Sequence, residues 1–335
     1  MRTSRKMYKF PSIEQFRSVV RNVNNKASFK GLDETGEPIY DHLAIKPTLT
    51  FTGTVKLHGT NLSIVLTRDG DYYAQSRERI MELTSDNAGS CQFAMKEQEF
   101  FVDYLNSVMQ RDDGIEAVAV YGEWAGAGIQ KGVGISNIEK SFFPFAVQVI
   151  MKDGKSHWHK TELPSSPKRG VHSLEHFSCF KIDIDFNNPD ESVNKMVAWV
   201  EEVERECPVA KEFGHSGIGE GIVFSCGEHM FKVKGEKHSV SKVKTLIPVD
   251  TEKLESMKAF IEYAVTEQRL QQGVDELVAS GKQPVPESLG TFLAWINRDV
   301  IKEEQDAINA NGLENKVVAK HVSTAARTWF ISKYF

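Results

Sequence analysis

The chain has 335 residues, of which 26% are charged and 40% hydrophobic, and its formal net charge is −5. These proportions exclude a disordered or fibrous chain, and the length accommodates one large domain and a smaller one. The negative balance excludes coating of nucleic acid by bulk electrostatics but not a local basic groove, and no run approaches the roughly 18 apolar residues of a membrane span.

The four cysteines, Cys91, Cys179, Cys207 and Cys226, are scattered with no CxxC pair. That spacing fits neither a zinc site nor a disulfide framework, so reduced thiols in a cytosolic setting are expected. The start, MRTSRKMYKFPSIEQF, is basic, but no apolar h-region follows it. A soluble cytoplasmic protein is expected (in the host cell's cytoplasm if the source is viral), with no membrane partner and monomeric.

In chain order, the first half reads mostly as strands joined by tight turns. TLTFTGTVKL and TNLSIVLT are β-branched and alternating, and the Asp-Gly pair in RDGD, before YYAQS, is a hairpin signal. QFAMKEQEFFVDYLNSVMQ, from Gln92, has helical spacing, and AVAVYGEWAG, from Ala117, is a short apolar strand that ends in glycines. FFPFAVQVIMKDGKSHW gives another strand and Asp-Gly turn, ESVNKMVAWVEEVERE an amphipathic helix, and GIVFSCGEHMFKVKG a second tight hairpin. The texture changes near Pro248, after which three long helical patterns dominate, the first two separated by the turn-rich SGKQPVPES. The expected architecture is α+β: a domain over 1–247 built on antiparallel strands, then an all-helical domain over 248–335.

Five places in the larger domain carry candidate chemistry. Lys56 and His58 interrupt a strand in VKLHGTN. A strand lysine is ordinarily a solvated edge residue, and a free one is neutral in only about one molecule in a thousand near pH 7.4. Partial burial between Val55 and Leu57, together with nearby positive charge, would lower its pKa, and Gly59 would let a phosphate approach the backbone. Lys232 and Lys234 in FKVK stand two apart, on one face of a strand, where like charges repel unless an anion lies between them. From Glu228 to Lys244 there are five lysines (232, 234, 237, 242, 244) against two glutamates (228, 236), a local net of 5 − 2 = +3. Glu123 follows the apolar run AVAVYG, where an unpartnered carboxylate would be costly. Glu220 stands between glycines at the head of a strand, and Arg77 or Arg79 in QSRERI could fork onto a phosphate. Each alone is more ordinarily structural.

Their order is more specific than any one of them. KxHG, a downstream arginine, GE-aromatic-AG, an aromatic strand, EGxV and KxK, read from Thr52 to Lys244, resemble the covalent nucleotidyltransferase superfamily of ligases and capping enzymes. KLHGTN followed by GEWAGAGIQKG is similar to the RNA ligase 2 family of ATP-dependent RNA ligases in particular. The resemblance implies an antiparallel-sheet nucleotidyltransferase (ATP-grasp-like ligase) domain followed by the small helical one. It implies that Lys56 attacks the α-phosphorus of ATP, that Gly59 and Asn61 shape the adjoining loop, and that His58 replaces an aspartate found in other branches. Arg77 would hold a phosphate or the ribose side of the nucleotide, and Glu123 a ribose hydroxyl. Phe145, or the nearby Phe143, would stack on adenine. Glu220 would act near the metal, and Lys232 and Lys234 on the α-phosphate.

The implied cofactors are ATP and Mg²⁺ (or Mn²⁺), with no inner-shell metal ligand assigned, and the implied partner is RNA with 5′-phosphate and 3′-hydroxyl ends. Two positions depart from the pattern: Ser225 stands where relatives often carry a cation, and Ala146 where an acid can occur. The helical tail, in place of a β-barrel, agrees with RNA ligase 2 and counts against the alternative of a GTP-using mRNA capping guanylyltransferase. A catalytically inactive nucleic-acid-binding relative is the other alternative, and Lys56, Glu123, Glu220, Lys232 and Lys234 together count against it. From Asn315 to Phe335 there are four cations (Lys316, Lys320, Arg327, Lys333) and no acid. A helix there, with Val317, Val318, Val322, Ala325, Trp329 and Phe330 as its apolar side, could turn these cations toward a phosphate backbone.

Overall fold

A computed structural model describes residues 5–41, 43–177, 179–235 and 257–335. The expected domain boundary at 247/248, and Lys237, Lys242 and Lys244, lie outside the described residues. The strands are β1 (Glu14–Gln15), β2 (Phe29–Leu32), β3 (Pro38–Tyr40), β4 (Thr48–Lys56), β5 (Thr60–Thr67), β6 (Tyr72–Gln75), β7 (Ile115–Ala125), β8 (Ser141–Met151), β9 (Ser156–Lys160), β10 (Cys179–Asp185), β11 (Gly221–Cys226) and β12 (His229–Lys234). The helices are α1 (Phe16–Ser28), α2 (Ser90–Lys96), α3 (Gln98–Met109), α4 (Val193–Arg205), α5 (Pro208–Glu212), α6 (Met257–Ala264), α7 (Glu267–Ala279), α8 (Leu289–Glu303), α9 (Gln305–Ala310) and α10 (Asn315–Tyr334). The fold is mixed α+β, with antiparallel sheets and a helical C-terminal region.

The described residues fall into two compact units that are not two consecutive segments of chain. One takes in Met1–Ile13, Thr52–Lys181 and Glu202–Glu228, and the other Glu14–Phe51, Ile182–Glu201 and His229–Phe335. The N-terminal segment joins the C-terminal helices in the second unit because β1 runs parallel to β12, with Gln15 opposite Lys232. The Phe16 ring also packs 5.1 Å from that of Phe231.

The first unit is built on a five-stranded sheet in the order β6-β5-β7-β8-β9, antiparallel throughout. Gly70, at φ +86°, turns β5 into β6 at the Asp-Gly pair. Period-2 alternation sends Leu62, Ile64 and Leu66 of β5 with Val118 and Val120 of β7 to one face, where Phe101, Leu105 and Val108 of α3 cover them. The other face carries Val65, Ala119 and Tyr121, and is covered by Tyr8 with Phe10 beside it. Tyr8 is fixed there by its backbone: its N–H donates to Gln75 Oε1 at 3.1 Å, and its carbonyl accepts from the Tyr121 hydroxyl at 2.8 Å. The single helix expected from Gln92 is divided at Glu97. That residue is buried and its carboxylate meets Arg169 Nη1 at 2.7 Å.

In the second unit α6 to α10 enclose a core of their own that includes Phe260, Leu270, Phe292, Ile296, Val322 and Phe330. The first long helical pattern breaks between α6 and α7, where the Thr266 hydroxyl caps α7 by accepting the Arg269 N–H. In α10, Val318, Val322, Ala326 and Phe330 recur every four residues and are buried, whereas Val317, expected on that side, faces solvent.

Candidate active site

Strand β4 ends at Lys56, opposite Gly221 at the start of β11. The flanking Val55 and Leu57 are buried, and the side chain of Lys56 is 21% exposed. Its Nζ lies 2.6 Å from Glu220 Oε2, and the Nδ1 of His58 lies 3.3 Å from the same oxygen. Glu220 is 2% exposed and occupies the residue just before β11. The strand pairing therefore places the expected lysine and one expected carboxylate in direct contact, although 164 residues separate them in the chain.

The chain then turns through Leu57–Gly59 into β5. The Gly59 N–H donates to Glu123 Oε1 at 2.9 Å, and β5 and β7 run in a register that sets Asn61 opposite Glu123. Gly59 is required by space: a Cβ there would collide with the Trp124 carbonyl and lie 2.9 Å from Ala125 Cβ. Burial pushes the Glu123 carboxyl up to about 7, with Lys56 opposing the rise and Glu220 adding to it. The turn from Lys56 to Asn61 is thus held between two carboxylates, one paired with the lysine and one bonded to the backbone.

Among the other expected site residues, Phe143 is opposite Glu123 on β8 and is fully buried, its ring stacked 5.6 Å from His172. Phe145 lies at the irregularity between Pro144 and Ala146, with its ring 5.1 Å from Phe10. Arg77 is exposed, and its Nη2 donates to Ser12 Oγ at 3.2 Å. Arg79 instead closes the following loop onto the Ser85 and Asp86 carbonyls. Lys232 and Lys234 belong to the second unit, on the half-buried side of β12, while Phe231 and Val233 are buried. An anion does stand at Lys232: Glu303 Oε1 is 3.2 Å from its Nζ. Glu303 escaped the sequence reading, because KEEQD looks like a solvated helix end. Of the tail cations, Lys316, Lys320 and Arg327 are exposed, and Lys333 pairs with Glu267 at 2.9 Å.

A family model described as RNA ligase matches residues 49–244, more than half of the chain, and the match includes every site residue from Lys56 to Lys234. The chain belongs to the RNA ligase family. No curated protein matches this RNA ligase. Among solved structures it is similar to a Naegleria gruberi RNA ligase with PPi, at 15% identity and a TM-score of 0.40, over 69% of this chain and 56% of that one. It is also similar to a point mutant of that ligase with AMP and Mn, at 16% identity and a TM-score of 0.42, over 69% and 56%. The chain thus matches little more than half the length of those ligases. Among the described residues no helix is long and apolar enough to cross a membrane.

Proposed function

We propose that this RNA ligase is ATP-dependent and joins a 3′-hydroxyl to a 5′-phosphate of RNA through covalent AMP on Lys56, in the cytoplasm. The observation that carries this reading is the half-buried Lys56 ammonium, 2.6 Å from the buried Glu220 carboxylate within the stretch that the family model matches. The resemblance assigns the nucleophile to that lysine, and the AMP and Mn named for a neighbouring ligase accord with it.

The reaction has three steps. Lys56 Nζ, once it has released a proton, attacks the α-phosphorus; a P–N bond forms, the α–β P–O bond breaks and pyrophosphate leaves. An oxygen of the RNA 5′-phosphate then displaces the lysine, which takes up a proton again as AMP passes to the RNA end. Finally the 3′-hydroxyl attacks the 5′-phosphorus and AMP departs. In-line displacement of this kind depends on positioning and charge neutralisation. In this role Glu220 and the Gly59 turn hold Lys56 in place, Glu123 receives a ribose hydroxyl, and Phe145 or Phe143 stacks on adenine. Arg77, Lys232 and Lys234 take the phosphates. The helical C-terminal region, proposed as a separate domain from residue 248, turns Lys316, Lys320 and Arg327 toward RNA.

No three His, Cys, Asp or Glu side chains converge as a metal cage among the described residues. The two carboxylates at the turn suit Mg²⁺ or Mn²⁺ that keeps its waters and is held through substrate phosphates. Such an ion would neutralise the phosphate charge, with Glu220 and Glu123 as its protein oxygens.

The test is incubation with α-labelled ATP or GTP and Mg²⁺, followed by denaturing electrophoresis, on the native protein and on Lys56→Ala. Label retained from ATP alone and lost in the variant is the expected result. Label from GTP would instead identify a capping-type transferase. No label from either, in folded protein free of pre-bound AMP, would overturn the reading.

A further inference from the structure

Helix α8 ends in two acids, Glu303 and Glu304, where the helix macrodipole disfavours negative charge. Both are buried. Glu304 is enclosed by structural partners: Arg269 Nη2 and Arg17 Nη2, each at 2.9 Å, and the Tyr263 hydroxyl at 2.9 Å. Glu303 differs. Its Oε2 accepts Gln15 Nε2 at 2.9 Å, and its Oε1 faces Lys232 Nζ at 3.2 Å. Gln15 is the residue paired with Lys232 across β1 and β12, so strand register and carboxylate act on the same lysine. The Arg17 guanidinium holds the Glu303 carbonyl at 2.7 Å, which fixes the helix end from which the carboxylate projects. Lys232 keeps a side-chain exposure of 23%, so an ammonium with three N–H donors gives one to Glu303 and retains others.

We infer that Glu303 is a positioning residue for nucleotide transfer: it anchors the Lys232 ammonium on β12 so that its remaining N–H groups are presented pre-oriented to a phosphate. This rests on the reading that Lys232 contacts the α-phosphate. A lysine alone is a flexible point charge on a four-carbon stem. Anchoring removes rotamer freedom that would otherwise be lost when the transition state forms, so the effect appears in the rate at saturating ATP more than in ATP affinity.

The experiment is a double-mutant cycle on the rate of covalent AMP formation in the full chain, with Glu303→Ala, Glu303→Gln, Lys232→Ala and their combinations. Glu303→Ala should slow the step about tenfold at saturating ATP, with KM for ATP moved less than about threefold. Glu303→Gln keeps an oxygen acceptor and should recover most of the rate, to within about threefold of the native protein. In the Lys232→Ala background both Glu303 substitutions should be silent, because the group through which they act is gone. If either loss persists undiminished on Lys232→Ala, or neither is seen on the native lysine, the inference is overturned while the Lys56 chemistry stands. If Lys232→Ala alone reacts at the native rate, the α-phosphate reading of Lys232 fails, and the inference with it. Should Glu303→Ala not fold, the Gln variant carries the same cycle.

Discussion

Two ionic clusters, one in each compact unit, solve opposite problems. Around Lys56 the first unit gathers one lysine, one imidazole and two carboxyl groups, and burial pushes Glu123 up to about 7. In the second unit Arg17, Lys232 and Arg269 meet Asp299, Glu303 and Glu304. There, although burial opposes ionisation, Lys232 and Gln15 bring Glu303 down to about 2, and Glu304 is likewise lowered against its burial by Arg269 and Arg17. The second arrangement satisfies each carboxylate from several sides. The first leaves a carboxyl poorly ionised and a lysine held by a single acid. Charges kept out of balance cost stability, and such sites are where chemistry is expected.

The largest expected effect is a break in the balanced cluster. Arg269 is fully buried; its Nε donates to Asp299 and its Nη2 to Glu304, each at 2.9 Å, and its Nη1 to the Ala264 carbonyl. Arg269→Met keeps much of the volume and removes the charge, which leaves two acids undercompensated. A loss of about 3–5 kcal/mol is expected for the second unit, read by urea unfolding. A loss below about 1 kcal/mol would show that Arg17 and Tyr263 satisfy Glu304 without it.

The unbalanced cluster should respond in the opposite sense. The Glu123 carboxyl has its ordinary value of 4.5 in the unfolded chain and about 7 in the folded protein. Between those values the folded state holds a proton that the unfolded chain has released. Stability therefore falls as pH rises from 4.5 to about 7, and stays lower above that. At about 1.4 kcal/mol per unit, the cost at pH 8 is up to about 3 kcal/mol. Glu123→Gln removes the ionisation and keeps an oxygen for the Gly59 N–H. It should be more stable than the native protein by up to about 3 kcal/mol at pH 8 and by less than about 1 kcal/mol at pH 5. A gain equal at both pH values would remove the titration from the comparison.

How much of this was legible in the sequence follows from what each feature depends on. The β5–β6 hairpin was readable because Asp69-Gly70 is a local signal between alternating runs. Lys56, His58, Gly59, Glu123 and Glu220 were readable as candidates because each interrupts a strand pattern, and their order carried the family. That Glu220 rather than Glu123 contacts Lys56 was not readable, since it depends on the pairing of Gly221 with Lys56 across the fold. The interleaving of the two units was hidden for the same reason: β1 is two residues long and its partner β12 lies more than 200 residues away. Glu303 gave no signal, because a helix-terminal Glu-Glu pair is ordinarily solvated. Val317 was misplaced by local hydrophobicity, whereas the four-residue spacing of Val318, Val322, Ala326 and Phe330 decides which side of α10 is buried.

A smaller effect sharpens the claim that the Lys56 turn is built to a tight tolerance. With Gly59→Ala, the new methyl group would meet the Trp124 carbonyl and Ala125 Cβ, and strands β5 and β7 hold that backbone in register. A loss of about 1–3 kcal/mol is expected from overpacking. The same displacement would move the Gly59 N–H away from Glu123, so covalent labelling should fall by more than the stability loss explains. Labelling that tracks only the folded fraction would mean that the turn can shift without disturbing Lys56.

The smallest expected effect on stability lies at the exposed face of α10, which belongs to neither cluster. Lys320 is exposed, so Lys320→Glu should change stability by less than about 0.5 kcal/mol. If the tail touches RNA, the same substitution should weaken binding on all sequences alike and reduce the slope of log K against log salt by about one or more. Covalent AMP formation should stay at the native rate, because that step needs no RNA. Unchanged RNA affinity would confine α10 to its packing role, and its exposed cations would then be ordinary surface charge. The two outcomes differ in one respect that neither buried cluster can mimic: only a phosphate contact makes the effect of a single surface lysine depend on salt.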